Sequence, residues 1–302
     1  PAEQARLAEA CRAAAARPWL AAPIVGGRER QGTVRRIVNP AKLDETVGEV
    51  FEAGASLVDE ALTLAKAAQP AWDRRPAGER AAILERAADA FEANTGLLVA
   101  LCVREAGRTV PDSIAELREA VDFLRYYAAR AREEFAKPLP LPGPTGESNE
   151  LGLLGRGVFA CISPWNFPLA IFTGQVAAAL GAGNAVLAKP AEQTPLVAAA
   201  ATRLLHAAGV PADVLHFLPG DGATVGARMT SDPRLDGVAF TGSTETARLI
   251  ARALAARDAP LATLIAETGG QNAMIVDSSA LLEQVVHDAV TSAFNSAGQR
   301  CS

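Results

Sequence analysis

The chain has 302 residues, of which 49% are hydrophobic and 21% are charged, and its formal net charge is −5. This length predicts about two domains, and the composition excludes a disordered or fibrous chain. Basic residues are interspersed with acidic ones, which argues against nucleic acid or an anionic membrane as the main partner.

The cysteines show neither the spacing nor the histidine neighbours of a metal site or a disulfide framework. They are Cys11, Cys102, Cys161 and Cys301. Free thiols suit a reducing compartment, so we expect a cytoplasmic protein that holds no metal ion. The first residues form no basic-then-apolar leader, and no targeting signal is predicted.

The first half of the chain changes pattern after residue 50. Residues 1–50 begin with an Ala-rich amphipathic stretch and continue with turn residues between short β-branched runs, which predicts antiparallel strands. Residues 56–136 carry apolar side chains at helical spacing and predict about four helices. The residues expected to divide them are Pro70, Pro76, Gly96, Gly107 and Pro111.

Residues 137–150 are rich in proline and glycine. Such a segment is either a flexible linker or an extended stretch docked against another surface. We favour an excursion from the surface of a domain.

The second half alternates short apolar runs with helical stretches. The predicted strands are Gly157–Ile162, Ala185–Lys189, Val214–Leu218, Gly237–Phe240, Leu261–Ala266 and Ala273–Val276. The predicted helices are Leu169–Leu180, Pro195–Ala208, Ala223–Met229, Glu245–Ala256 and Leu281–Asn295. No charged residue occurs between Arg156 and Lys189, but prolines, glycines and amides interrupt this stretch, so we predict no membrane span. The alternation predicts an α/β fold, a Rossmann-like parallel sheet with helices on both faces.

Polar, glycine-rich segments follow the predicted strands. They read "SPWNFP", "KPAEQTP", "PGDGATVG", "TGSTE" and "ETGGQN" in chain order. Because ligands of open parallel sheets bind beyond the carboxyl ends of the strands, these segments predict one shared ligand site.

Together, in this order, the five segments resemble the aldehyde dehydrogenase superfamily, from "NPAKLDETVGEV" onward. The last stretch, "IAETGGQNAMIVDSSALLEQVVHDAVTSAFNSAGQRCS", is most similar to the pyrroline-5-carboxylate (glutamate semialdehyde) dehydrogenase domain of bifunctional proline utilization A. The resemblance implies an NAD-binding domain over residues 1–268, with a helical part at 1–136 and the proline-rich excursion at 137–150. Residues 269–302 would begin an α/β catalytic domain.

Three residues match the family's catalytic positions. Cys301 would be the nucleophile, since a thiolate attacks an aldehyde and later leaves well. Asn166 would donate its side-chain amide to the developing oxyanion, together with the backbone N–H of Cys301. Glu267 would be the general base that activates water. Without the resemblance, these residues read as a buried small side chain, a turn residue and a solvated strand end.

The resemblance also implies NAD, although the usual G-x-G-x-x-G fingerprint is absent and a segment like "TGSTE" replaces it. Lys189 and Glu192 would hold the adenosine ribose, and the Glu192 carboxylate would repel a 2′-phosphate, which favours NAD over NADP. Gly242 and Ser243 would open a helix toward the pyrophosphate. The other implied cofactor residues are Ile162, Ser163, Pro164, Trp165, Ala191, Gly222, Gly226, Thr241, Thr268 and Gly269.

For the substrate, Glu119 matches a glutamate that contacts the α-amino group in pyrroline-5-carboxylate dehydrogenases; its ordinary reading is a solvated helix face. Phe167 would pack against the aliphatic part of the substrate, and Ser302 would contact its reacting end. The implied reaction is NAD-dependent oxidation of L-glutamate γ-semialdehyde, the open form of pyrroline-5-carboxylate, to L-glutamate in proline catabolism. A dehydrogenase for another semialdehyde and a non-catalytic scaffold domain are the alternatives.

The family also implies a homo-oligomer and, in bifunctional members, a linked proline dehydrogenase domain with FAD. Neither that domain nor the family's later E-x-F-G-P segment occurs in these 302 residues. We therefore expect a chain cut within the catalytic domain, one residue after Cys301, with little or no turnover by itself.

Overall fold

The computed structural model describes residues 2–16 and 18–301. The helices are α1 (Ala2–Ala15), α2 (Ala55–Arg74), α3 (Ala77–Ala93), α4 (Thr95–Ala106), α5 (Val110–Glu134), α6 (Ala170–Gly181), α7 (Pro195–Ala207), α8 (Ala227–Ser231), α9 (Thr244–Ala255) and α10 (Leu282–Phe294). A π-helical turn spans Gly222–Gly226, and a 3-10 turn spans Asn295–Gly298. The strands are β1 (Trp19–Ala21), β2 (Ile24–Val25), β3 (Arg28–Glu29), β4 (Thr33–Asn39), β5 (Lys42–Glu52), β6 (Leu139–Leu141), β7 (Asn149–Leu151), β8 (Val158–Ile162), β9 (Ala185–Lys189), β10 (Leu215–Phe217), β11 (Gly237–Thr241) and β12 (Thr263–Glu267).

The central sheet has seven strands in the order β12-β11-β8-β9-β10-β2-β3. The first five run parallel, and β2 joins β10 antiparallel. Every side chain of β8 and β9 is buried, as expected for parallel strands covered on both faces. The predicted parallel α/β fold is confirmed. The strand order reverses at β8, where a ligand crevice is expected.

Side chains of the helical layer α2–α5 bind both ends of helix α6. Nearly all of α6 is buried, so the backbone groups at its ends need partners within the protein. Glu116 of α5 accepts the N–H of Leu169 at 2.8 Å, just before the helix begins. At the other end, the indole N–H of Trp72 donates to the carbonyl oxygen of Leu180 at 3.1 Å. The helical layer therefore fixes the element that follows the β8 loop.

Two smaller sheets complete the architecture. Strands β1, β5 and β4 form one of them, so the part described above as helical also contains strands. Strands β6 and β7 form an antiparallel hairpin over residues 139–151, and every residue of β6 is exposed. The proline-rich segment is thus an exposed, extended hairpin.

Three local expectations are wrong. The predicted strand Ala273–Val276 is not a strand, because no strand among the described residues pairs with it, and Ile275 is 94% exposed. Pro70 does not divide two helices but lies inside α2, whose last turn is held by the buried Trp72. The predicted helix Ala223–Met229 is a π-helical turn followed by the short α8.

None of the helices in the described part of the chain combines the length and the apolar character needed to cross a bilayer.

Candidate active site

A cleft of about 1290 Å³ opens beyond the carboxyl ends of the central strands. The loops that follow β8, β9, β11 and β12 line it, together with the π-helical turn and residues 298–301. The cofactor residues named from the sequence all line this cleft: Ile162, Ser163, Pro164, Trp165, Lys189, Ala191, Glu192, Gly222, Gly226, Thr241, Gly242, Ser243, Thr268 and Gly269. Trp165 is 42% exposed, so its alternative reading as a core residue is wrong.

Charged groups meet in the part of the cleft after β9. Lys189 is only 4% exposed, and burial lowers the pKa of its ammonium group while Glu192 and Asp221 oppose that shift. A carboxylate oxygen of Glu192 accepts the N–H of Gly222 at 2.9 Å. The guanidinium of Arg35 donates to the backbone oxygen of Glu192 at 2.6 Å. Glu192 is therefore held at both its backbone and its side chain, with room in the cleft for ribose hydroxyls as donors.

The start of α9 forms another wall of the cleft. The Ser243 hydroxyl accepts the N–H of Thr246 at 3.2 Å and caps the helix. The N–H of Gly242 donates to the backbone oxygen of Glu267 at 3.0 Å. A Cβ at position 242 would lie 2.6 Å from the Phe240 ring, so this site requires glycine. A helix start open to a cleft provides N–H groups and a favourable dipole for a phosphate.

The Cys301 segment contacts the loop after β8. The side-chain amide of Asn166 donates to the backbone oxygen of Gln299 at 2.9 Å. The side-chain amide of Asn272 donates to the backbone oxygen of Cys301 at 2.8 Å. Cys301 is exposed and lines the cleft together with Asn166. An amide donor and a thiol thus face one cavity with the cofactor residues.

The comparisons with known proteins agree with this geometry. The model of the family described as "Aldehyde dehydrogenase family" matches residues 28–302. The chain belongs to the aldehyde dehydrogenase family.

Among the relatives of this family member is the bifunctional protein PutA of Escherichia coli (strain K12), 52% identical over 302 residues, which cover 99% of the chain and 22% of PutA. A 1-pyrroline-5-carboxylate dehydrogenase of Anoxybacillus flavithermus is 40% identical over 93% of the chain and 55% of that enzyme. The structure of 1-pyrroline-5-carboxylate dehydrogenase from Thermus with bound NAD matches with a TM-score of 0.94 and 34% identity, covering 99% of the chain and 59% of that protein. The chain therefore spans less than two thirds of each of these relatives.

The structure does not bring every expected site residue of this aldehyde dehydrogenase into the cleft. Glu267 is exposed at the end of β12, beside Thr241 in the strand register, and is not among the cleft-lining residues. Ser302 lies outside the described residues.

Glu119 lies on the exposed face of α5, where it lines a separate groove. Burial raises the pKa of Glu119, and the guanidinium groups of Arg108 and Arg300 lower it. Arg300 directly precedes Cys301, so Glu119 lies near the nucleophile's segment. Phe167 lies under Arg108, whose guanidinium carbon is 4.6 Å from the ring centroid.

Sequence reasoning missed the ion pair between Arg108 and Glu116, whose side chains are 7% and 0% exposed. Burial raises the pKa of Glu116 to about 7, and Arg108 opposes that shift. A signal was available: Glu116 lies on the same helical stripe as Leu117 and Ala120, which are buried. A carboxylate on an apolar stripe is buried only with a partner.

A second buried glutamate, Glu105 of α4, was also missed. Its carboxylate accepts the N–H of Leu196 at 2.6 Å and of Val197 at 2.9 Å, at the start of α7. Burial raises the pKa of Glu105 to about 8. The local sequence gives no hint of it, because the helix start that it binds lies about 90 residues later.

Proposed function

We propose that this chain carries out NAD-dependent oxidation of L-glutamate γ-semialdehyde to L-glutamate, the second oxidation of proline catabolism. The observation that carries the proposal is the contact of Asn166 with Gln299, at the mouth of a cleft lined by the expected cofactor residues. The names of the PutA and pyrroline-5-carboxylate dehydrogenase relatives support the choice of substrate.

The cleft fits a dinucleotide in its chemistry. Glu192 offers a carboxylate to the ribose hydroxyls, the buried Lys189 offers a cation beside it, and the start of α9 offers N–H groups to a pyrophosphate. When bound, NAD supplies the acceptor for the hydride that leaves the substrate carbon. The carboxylate at Glu192 disfavours the extra phosphate of NADP.

Cys301 would attack the aldehyde carbon and form a carbon–sulfur bond, so the carbonyl oxygen becomes an oxyanion. The Asn166 amide and the Cys301 backbone N–H would donate to that oxygen. One such donor is worth about 3 kcal/mol in the transition state. The resulting tetrahedral adduct loses a hydride and becomes a thioester.

Glu267 would remove a proton from water that attacks the thioester, releasing the carboxylic acid and the Cys301 thiol. Its place at the carboxyl end of β12, next to Thr241, is at the same edge of the sheet as the cleft. The exposed side chain leaves it free to turn toward the cleft.

Glu119 would bind the α-ammonium group of the substrate. Its carboxylate lies near Arg108 and Arg300, and the balance of these charges determines how strongly it attracts a cation. Phe167 offers an apolar ring to the methylene groups between the ammonium and the aldehyde, and Ser302 would contact the reacting end.

The bifunctional PutA relatives suggest a covalently linked partner. We propose a proline dehydrogenase domain with FAD as that partner, and a homo-oligomer as the assembly.

The test is a steady-state comparison of aldehydes, using the protein at its full encoded length. We expect kcat/KM for glutamate semialdehyde to exceed that for succinate semialdehyde at least about 100-fold, since a missing ammonium leaves Glu119 unpaired. NAD should be preferred to NADP. Equal rates with both aldehydes would overturn the substrate assignment, and no oxidation of any aldehyde would overturn the proposed function.

A further inference from the structure

The turn between α4 and α5 places one arginine beside the β8 loop. Gly107 ends α4 in a left-handed conformation with φ of 67°, where a Cβ would lie 2.8 Å from Pro40. The N–H of Arg108 then donates to the backbone oxygen of Cys102 at 3.3 Å. The backbone of Arg108 is therefore fixed by the helix end, and its side chain points away from solvent, with 7% exposed.

Arg108 contacts two consecutive residues of the loop. Its guanidinium donates a hydrogen bond to the backbone oxygen of Asn166. The same group lies over the ring of Phe167, 4.6 Å from the centroid, at cation–π distance. A planar guanidinium can form both contacts at once, while a lysine ammonium offers only a point charge.

Glu116 holds both this arginine and the end of the loop. It pairs with Arg108 at 2.7 Å, and its other carboxylate oxygen accepts the N–H groups of Leu169 at 2.8 Å and Ala170 at 3.3 Å. The loop is therefore bound at its centre by Arg108 and at its exit by Glu116. Both partners are buried, so removal of either leaves an uncompensated charge in the interior.

We propose that Arg108 and Glu116 are positioning residues for the oxyanion donor: together they fix the backbone at Asn166, and with it the direction of the side-chain amide. This inference rests on the proposed function. A displacement of about 1 Å in a catalytic group lowers the rate about 100-fold, so a buried pair that contacts neither substrate nor cofactor is decisive for kcat.

Glu105 provides a natural control. It is as buried as Glu116 and it also binds two N–H groups at the start of a sheet-covering helix. Its carboxylate binds α7, however, and not the element that follows the β8 loop. A role in helix capping alone predicts equal effects at positions 105 and 116, while a positioning role predicts an effect on kcat only at 116.

The experiment compares Arg108→Met, Arg108→Lys, Glu116→Gln and the control Glu105→Gln in the protein at its full encoded length. We expect Arg108→Met and Glu116→Gln to lower kcat about 10- to 100-fold with the Kd for NAD within twofold of wild type. Arg108→Lys should restore part of the loss, because it keeps the charge beside Glu116. Glu105→Gln should lower Tm and leave kcat within threefold.

The inference is overturned if Arg108→Met keeps kcat within threefold of wild type, or if Glu105→Gln lowers kcat as much as Glu116→Gln. Failure of the proposed function is a separate result, seen as no aldehyde oxidation by the wild type. In that event, hydrogen exchange of residues 163–170 decides: faster exchange in Arg108→Met and Glu116→Gln, but not in Glu105→Gln, supports the positioning pair, and equal exchange rejects it.

Discussion

The cofactor half and the segment that carries Cys301 differ sharply in how the chain holds them. Strands β8 and β9 are buried at every position, whereas α10 has no buried residue among those described. Phe294 is 76% exposed and Val286 is 62% exposed. The cofactor walls therefore rest on a packed core, while the nucleophile rests on polar contacts such as that between Asn166 and Gln299. Cofactor binding and catalysis should respond separately to mutation.

The largest separation is expected at Cys301. Cys301→Ser should lower kcat at least about 10⁴-fold, since removal of a nucleophile leaves only binding and oxyanion stabilisation. The Kd for NAD should stay within twofold, because the cofactor walls do not depend on the thiol. Steady-state kinetics and a fluorescence titration measure the two effects. Turnover retained by the variant would show that the thiol is not the nucleophile.

The next effect is expected at Asn166. Asn166→Ala should lower kcat about 100- to 1000-fold, because one oxyanion donor is lost. NAD binding should again be unchanged, and Tm should fall little, since the side chain is only partly buried. A variant with normal kcat would mean that the oxyanion is stabilised by other groups.

Stability should separate the two regions in the opposite sense. Leu187→Ala in β9 should lower the free energy of unfolding by about 2–5 kcal/mol, because it leaves a cavity in the core. Val286→Ala on the exposed face of α10 should change it by less than about 0.5 kcal/mol. Urea unfolding at one pH measures both, and similar losses would show that α10 is packed as tightly as the sheet.

The pH dependence of stability gives the smallest effect. His216 accepts the N–H of Gly26 at 3.2 Å and donates to the backbone oxygen of Asp213 at 3.0 Å, and burial lowers its pKa to about 4. Its folded pKa is below the unfolded value, so its contribution is complete above about pH 6.5 and is lost as pH falls toward 4. Wild type should lose up to about 3 kcal/mol more than His216→Gln between pH 7.5 and pH 4.5.

The exposed His287 of α10 supplies the matched control for that measurement. His287→Gln should follow wild type across the same pH range. Parallel curves for wild type and His216→Gln would contradict the account of His216 as a neutral, buried acceptor.

The sequence indicated regular elements well where local pattern and packing agree. The bounds of β9 were predicted to the residue, because a fully apolar run between polar residues has one reading in a covered parallel sheet. The same rule failed at 273–276, where an apolar run lacks a neighbouring strand among the described residues. Pro70 was misread because the tertiary contact of Trp72 holds the last helical turn.

The site was predictable to a similar degree. Motifs after the strands located the cleft, because strand ends converge at one edge of a parallel sheet. Arg108 and Glu116 were not found, because their link to Asn166 joins positions about 50 residues apart and depends on how α5 packs on α6. Such contacts have no local signature beyond a charge on an apolar stripe.

The central claim is that NAD and the Cys301 thiol share one cleft. It is tested most directly by the rate of alkylation of Cys301 with iodoacetamide, followed by mass spectrometry, with and without NAD. Cys11, which is partly exposed on α1, serves as the reference thiol in the same sample. We predict that NAD slows the alkylation of Cys301 in a saturable manner and leaves Cys11 unchanged. A Cys301 rate that is independent of NAD at every concentration would contradict the account.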